Sequence, residues 1–278
     1  MEDFAAVLHS HGFDICEPFE TQYYNLKKVP ETLPPISTFS RPRTLSFLIG
    51  NSKHIWPILK AHVRALPSVS EHPLDDYVHV IIPKLVEAHF PGIASKIQYT
   101  TSKDDDFIHF QLLAHITATS YYNKALSLCV HPKHGPWKAF RAVVTLDLPF
   151  PNLEPYAPIP LIDPYPECHE LVSHYRNLFF ESVKGYCTQC RDPSADPSHK
   201  DKCVLFRMGD GTLTGDEVRK WYSEKRDMTF IRTVSNHQHL IAARDAATWD
   251  AVKDQRYSDQ QLRYHYSKDT SIFFDLEE

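Results

Sequence analysis

The sequence predicts an α+β fold with an antiparallel sheet, on three observations. Strand-like runs cluster in the middle of the chain, and helix-spaced apolar residues surround them. Glycine is scarce, 8 in 278 residues, and neither a G-x-G-x-x-G nor a P-loop pattern occurs. The hydrophobic content of 42% is enough for one large domain, or one domain with a sizeable appendage.

Taken in order, the first 40 residues close on a Pro-rich stretch from Val29-Pro30 to Pro42, which reads as an extended arm because proline lacks a backbone donor. Thr44–Ile49 is a nearly all-apolar run suited to a buried strand. Asn51 or Ser52 can cap the next helix, with Ile55, Ile58, Leu59, His62 and Leu66 on one face. Leu74–Phe90 has helical spacing with an expected kink or break at Pro83. Lys96–Thr100 reads as a strand. The aspartates Asp104–Asp106 then favour a helix start, and the helix is expected to run to Tyr122, with Ile108, Leu112, His115, Ile116 and Thr119 as its stripe. Strands follow at Leu126–Val130 and Ala139–Leu148, joined by the turn-like HPKHGPW.

After Pro149 the character changes. Residues 149–166 hold seven prolines. Helices are expected at Leu171–Lys184, Thr214–Arg226 and Asp259–Tyr266, with a polar, Cys-containing insertion at 185–213. The expected organisation is a core of residues 1–149 with its N-terminal arm, an insertion or cap over 150–243, and a segment 244–278 returning to the core.

The net charge of −5 speaks against nucleic acid as the main partner. No run approaches the roughly 18 apolar residues of a membrane helix. The opening MEDFAAVLHSHGF carries acids where a secretory signal carries positive charge, so a cytoplasmic protein is expected. Six cysteines in so long a chain do not form a disulfide scaffold.

Five features carry chemistry. His115 on an apolar stripe reads either as a core histidine held by a carbonyl or as a pocket wall. Tyr121 and Tyr122 offer aromatic bodies with polar tips, suited to a flat conjugated ligand or to ordinary packing. Arg141, in a strand among apolar residues, needs a carboxylate or a ligand anion. His131 and His134 bracket a turn beside Trp137, where turn histidines are usually exposed; with His115 they can form a metal site. Cys187, Cys190, His199 and Cys203 fall within 17 residues and can hold a structural zinc that clips the insertion. Cys129, between apolar neighbours, reads as a small hydrophobe.

Four segments resemble the cobalamin-processing family of methylmalonic aciduria and homocystinuria type C: GFDICEPFETQYYN with LPP (12–25, 33–35), RTLSFLIGNSKHIWPILKAHV (43–63), AHITATSYYN with LCVHPKHGPWKAFRAVV (spanning 114–144), and RDAATWDAVKDQRYSDQQ (244–261). The resemblance implies a flavin-reductase or nitroreductase-like fold. It implies reductive decyanation of cobalamin with a flavin (FMN or FAD), thiol-dependent dealkylation, and a chaperone role. It makes His115 and Arg141 the expected catalytic residues, and Tyr121, Tyr122, Asn123, Cys129, His131 and Trp137 the expected cofactor-binding residues. Arg141 matches a glutathione-binding arginine, but Trp249 stands where a second one is expected, so glutathione use is not implied as a whole. Two other readings remain. One is a same-fold oxidoreductase acting on another small organic substrate with flavin or a histidine-bound metal. The other is a non-catalytic adaptor whose insertion docks a protein partner.

Overall fold

The computed structural model describes residues 2–28, 31–151, 154–184, 198 and 237–275. The expected zinc ligands Cys187, Cys190, His199 and Cys203 and the expected helix Thr214–Arg226 lie outside the described residues. The chain divides into two compact units. One comprises Met1–Pro164, Asp250–Tyr264 and Asp269–Glu278; the other comprises Tyr165–Trp249 and His265–Lys268.

The first unit is built on a four-stranded antiparallel sheet of order β1-β2-β6-β3, with β1 Ile15–Glu20, β2 Thr44–Asn51, β3 Ser95–Tyr99 and β6 Ala139–Pro149. This bears out the α+β class and the antiparallel sheet. Both faces are covered. Leu45, Phe47 and Ile49 of β2 and Ala142, Val144 and Leu146 of β6 meet α1 (Glu2–Ser10), α3 (Ile55–Arg64) and α4 (Pro73–His89) through Phe4, Leu59 and Ile82. On the other face Phe19, Leu48, Phe140 and Val143 meet Tyr24 of α2 (Thr21–Lys27) and Leu113 of α5 (Phe110–Ile116). Burial on both faces explains why β2 reads as an apolar run, not as an alternation. Its polar members find partners in the sheet and in the segments beside it. The Ser46 hydroxyl lies 2.7 Å from that of Thr21 and 2.8 Å from that of Thr145.

The sheet has two distinctive ends. On edge strand β1, Pro18 stands opposite Phe47. Edge strand β3 is only five residues long, and its Lys96 pairs with Asp106 at 2.5 Å.

A β-bulge interrupts the β2–β6 ladder. Ile49 faces Ala142 and Gly50 faces Phe140, so Arg141 is the extra residue. The bulge brings the backbones close: a Cβ on Gly50 would stand 2.8 Å from the Ala139 carbonyl oxygen. Gly50→Ala is therefore expected to cost about 2 kcal/mol, the scale of an overpacked core site. A urea-unfolding midpoint unchanged from wild type would contradict this.

In the second unit, α6 (His169–Lys184) and α7 (His237–Ala246) pack together. Arg244 of α7 lies 5.8 Å from the Tyr266 ring, and the rings of Tyr165 and Trp249 are 6.5 Å apart.

Several local expectations need correction. Pro83 does not break its helix: α4 runs unbroken from Pro73 to His89, because Tyr77, Val78, Ile82, Leu85 and Val86 keep one continuous face buried. That burial outweighs one lost backbone bond. The residues before the Pro-rich arm, for which no element was expected, supply α1, edge strand β1 and α2. Neither Asn51 nor Ser52 caps α3. His54 occupies the N-cap without a side-chain bond, while Ser52 donates instead to Asp14. The α3 face is Ile55, Trp56, Leu59, Lys60 and Val63, with Leu66 exposed. The helix expected from Asp104 to Tyr122 breaks into a 3-10 turn at Asp104–Asp106, the short α5, and strand β4 (Tyr121–Asn123).

Candidate functional site

The break after α5 builds the site. The Thr117 hydroxyl donates to the Leu113 carbonyl at 2.9 Å, a local bond that competes with helix continuation. Ala118 then adopts φ +56°, in the left-handed region. The Thr119 and Ser120 amides both turn back to the Ala114 carbonyl, at 2.8 and 3.0 Å. This is a helix stop of the kind glycine usually makes. Ala118→Gly is expected to stabilise the fold by up to about 1 kcal/mol by removing the left-handed penalty; a lower urea midpoint would count against it.

The reversed chain enters the hairpin β4–β5, where β5 is Leu128–Val130. Tyr121 pairs with Val130, Tyr122 with Cys129 and Asn123 with Leu128. Tyr121 and Tyr122 thus belong to a strand, not to the end of a helix. The Tyr122 amide donates to His115 Nδ1 at 3.3 Å. His115 therefore carries its hydrogen on Nε2 when neutral. Its ring lies 5.8 Å from that of Tyr121, and the Tyr122 ring lies 5.6 Å from that of His109. The Tyr121 phenol is raised above its usual range, first by burial and then by the Asp163 carboxylate that shares its hydrogen bond. Asn123 is committed to the turn, accepting from the Leu126 amide at 3.1 Å. Cys129 is buried, and its carbonyl accepts from Lys138 Nζ at 3.1 Å. Lys138 is itself buried, 4.4 Å from the Phe140 ring.

The HPKHGPW turn holds its histidines differently from the sequence expectation. His131 and Gly135 exchange two backbone bonds of 2.8 Å, and Gly135 takes φ +56°. The tight turn leaves His131 only 5% exposed, so a solvent-facing histidine was the wrong expectation. Its Nδ1 accepts from the Lys133 amide at 3.1 Å. Burial, then the charges of His134, Lys138 and Lys133, push its pKa down to about 3. His134 reaches the other way, with Nδ1 3.0 Å from Gln255 Oε1 and Nε2 4.0 Å from Asp14 Oδ2. The two imidazoles lie 4.8 Å apart. Among the described residues no group of three His, Cys, Asp or Glu side chains stands ready to hold a metal, so the His115–His131–His134 arrangement does not form one.

Trp137 is fully buried, 5.6 Å from the Tyr257 ring, and Arg256 lies 5.6 Å from its own ring. It supports the turn from beneath. Arg141, at the bulge, donates from Nε to Asn51 Oδ1 at 2.6 Å, and Asn51 is 1% exposed.

A cleft of about 160 Å³ opens where three segments meet: Glu17 and Pro18 of β1, Thr117–Thr119 after α5, and His131–Lys133 after β5. Thr117, Thr119 and His131 are buried at its floor, while Glu17 and Lys133 stand exposed at its rim. Neighbouring chain raises the Glu17 carboxyl above the usual range, against a downward pull from Lys133. Cys16 beside it is pushed up to about 12, by burial first and Glu17 second, so it stays a thiol at neutral pH. Of the cleft residues only His131 was expected from sequence. Glu17, Thr117, Thr119 and Lys133 are ordinary polar residues with no spacing to mark them, although they fall in or beside the segments that carried the resemblance.

No protein-family model matches the chain. It is 27% identical over 168 residues to a cyanocobalamin reductase / alkylcobalamin dealkylase of Mus musculus, covering 53% of this chain and 57% of that protein. The chain thus spans somewhat over half the length of that relative. The crystal structure of a C. elegans B12-trafficking protein, CblC, aligns over 98% of this chain and 94% of its own, with TM-score 0.50 and 14% identity. At that identity the match speaks to the fold.

Proposed function

We propose that this chain is a divergent cobalamin-processing protein that removes the upper axial ligand of cyanocobalamin by reduction and holds the product for delivery. The observation that carries the reading is the similarity to the mouse reductase, joined to a fold shared with a B12-trafficking protein. The antiparallel sheet and its flanking helices are of the flavin-reductase type in this reading, and the protein acts in the cytoplasm. Among the described residues no helix is long and apolar enough to cross a membrane.

The site residues take the following roles in this reading. His115 presents its Nε2–H beside the Tyr121 ring, so it meets the ligand as a hydrogen-bond donor. Tyr121 gives the aromatic wall on which a flat macrocycle rests, and Tyr122, on the opposite face of the strand, packs against the core beside His109. Cys129 and Trp137, both buried, stabilise that wall and do not themselves make its surface. Arg141, aimed by the bulge and by Asn51, supplies positive charge for a departing or bound anion. The cleft of about 160 Å³ is below the several hundred cubic ångströms of a typical ligand site, so the corrin lies over it, not inside it. The cleft also does not fit an isoalloxazine, so reduced flavin serves as an external electron donor. One electron passes to cobalt(III), cobalt(II) forms, and cyanide leaves with the cobalt–carbon bonding pair.

Absorption titration of the purified protein with cyanocobalamin, with and without reduced flavin, tests this. The expected result is a shift to the base-off spectrum, then a cobalt(II) spectrum on reduction. No spectral change at micromolar protein would overturn the proposal.

A further inference from the structure

We propose that the cleft between β1, the α5 stop and the HPKHGPW turn is a subsite for a primary carboxamide, and that the amide it takes is a peripheral arm of the corrin. The second half of this inference rests on the cobalamin reading; the first does not.

The argument is one of matched donors and acceptors. His131 lines the cleft and is 5% exposed. Its Nδ1 is occupied by the Lys133 amide, so its hydrogen sits on Nε2. Among the described residues no protein acceptor meets that N–H. The Lys133 ammonium on the rim is the second donor. The acceptors lie on the other two segments. The Thr117 hydroxyl is committed to the Leu113 carbonyl, and the Thr119 hydroxyl lies 3.1 Å from it. The Thr119 proton is therefore directed at Thr117, which leaves the Thr119 oxygen free to accept. Glu17 on the opposite rim offers its carboxyl oxygens.

A primary amide has one carbonyl oxygen with two lone pairs and two N–H groups. The cleft presents two donors, His131 and Lys133, and two acceptors, Thr119 and Glu17. An ester lacks the N–H groups, and a carboxylate would face Glu17 and the Thr119 oxygen with nothing to donate. The two buried groups, His131 and Thr119, disfavour a ligand that leaves them unpaired, while Glu17 and Lys133 at the exposed rim add less. Size agrees as well. About 160 Å³ is the space of roughly five waters, which suits a short amide arm and nothing much larger. Cobalamin carries such arms around its ring, so a corrin lying against Tyr121 can place one here.

The test uses two probe sets on the full chain. Propionamide, methyl propionate and glycine are titrated while the ¹⁵N resonance of His131 Nε2 is followed. Cyanocobalamin and the heptamethyl ester of dicyanocobyrinic acid are titrated by absorption against wild type, Glu17→Ala and Lys133→Ala. Both side chains are exposed, so the variants fold. Propionamide is expected to shift the His131 resonance at millimolar concentration, at least fivefold more tightly than methyl propionate, and Glu17→Ala is expected to erase that preference. Each variant is expected to weaken cyanocobalamin five- to tenfold; Glu17→Ala is expected to leave the ester unchanged, whereas Lys133→Ala weakens it too, since the ester keeps the carbonyl. Equal binding of propionamide and methyl propionate, or tighter binding of glycine, would overturn the amide subsite. Normal cyanocobalamin binding by both variants would overturn the corrin arm alone. Propionamide binding without any cyanocobalamin binding would uphold the subsite and overturn the cobalamin reading.

Discussion

Trp137→Ala is expected to cost about 4 kcal/mol, the usual scale for removing a large buried aromatic. The indole is fully buried, with the Tyr257 ring and the Arg256 guanidinium each 5.6 Å away. A domain has only about 5–15 kcal/mol in hand, so the variant should lose a large part of its stability. The loss has a local consequence too. The Trp137 amide donates to the His134 carbonyl at 3.0 Å, closing the turn that buries His131. Loosening the turn admits water to His131 and lets its pKa climb toward the ordinary value. Circular dichroism in urea measures the first effect, and the pH dependence of the His131 NMR shift measures the second. Trp137→Phe should show both in weaker form. A Trp137→Ala midpoint within experimental error of wild type would mean that the turn is held by other contacts.

Acid is expected to destabilise the fold through His131. Unfolded, this imidazole takes a proton near its ordinary 6.5; folded, only near 3. Its contribution is therefore complete above pH 6.5 and falls as the pH drops toward 3, because the unfolded chain then binds a proton that the folded chain refuses. The slope is about 1.4 kcal/mol per pH unit, or roughly 3 kcal/mol lost by pH 4. Other groups titrate over the same range, so the useful quantity is a difference. His131→Gln keeps a polar side chain without a titrating ring. Its deficit relative to wild type should shrink steadily between pH 7 and pH 4 in urea-unfolding series. A deficit constant over that range would show that His131 titrates alike in both states.

The central strands were legible because β2 and β6 are nearly unbroken apolar runs, and Thr44–Asn51 announces burial on both faces by its composition; edge strand β1 was not, because ICEPFE is half polar and carries a proline. Helices α3, α4 and α6 were legible by periodicity, although Pro83 argued locally against a continuous α4; the short helices α1, α2 and α7 were not. The α5–β4 junction was not legible. Thr117 to Ser120 continue an acceptable helical stripe, and only the hydroxyl bond to Leu113 with the left-handed Ala118 ends it. The site divides the same way. His115 and the tyrosine pair came from one contiguous motif, and the hairpin brings them together. The cleft joins residues about a hundred positions apart, Glu17 with Thr117–Thr119 and Lys133, and no local pattern records such a meeting. The burial of His131 was missed because a turn histidine is usually exposed, whereas this tight turn draws it to the floor of the cleft.

The two ends of the sheet bear on how copies of this chain behave at high concentration. An edge strand offers a template for another strand unless its backbone donors are missing or its side chains repel. At one end Pro18 removes a donor from the middle of β1; at the other β3 is short and carries Lys96, which pairs with Asp106 of the following turn. Neither end is a good seed for stacking sheets into fibrils. Self-association, where it occurs, should leave the strand count of each copy unchanged and proceed through helices and loops.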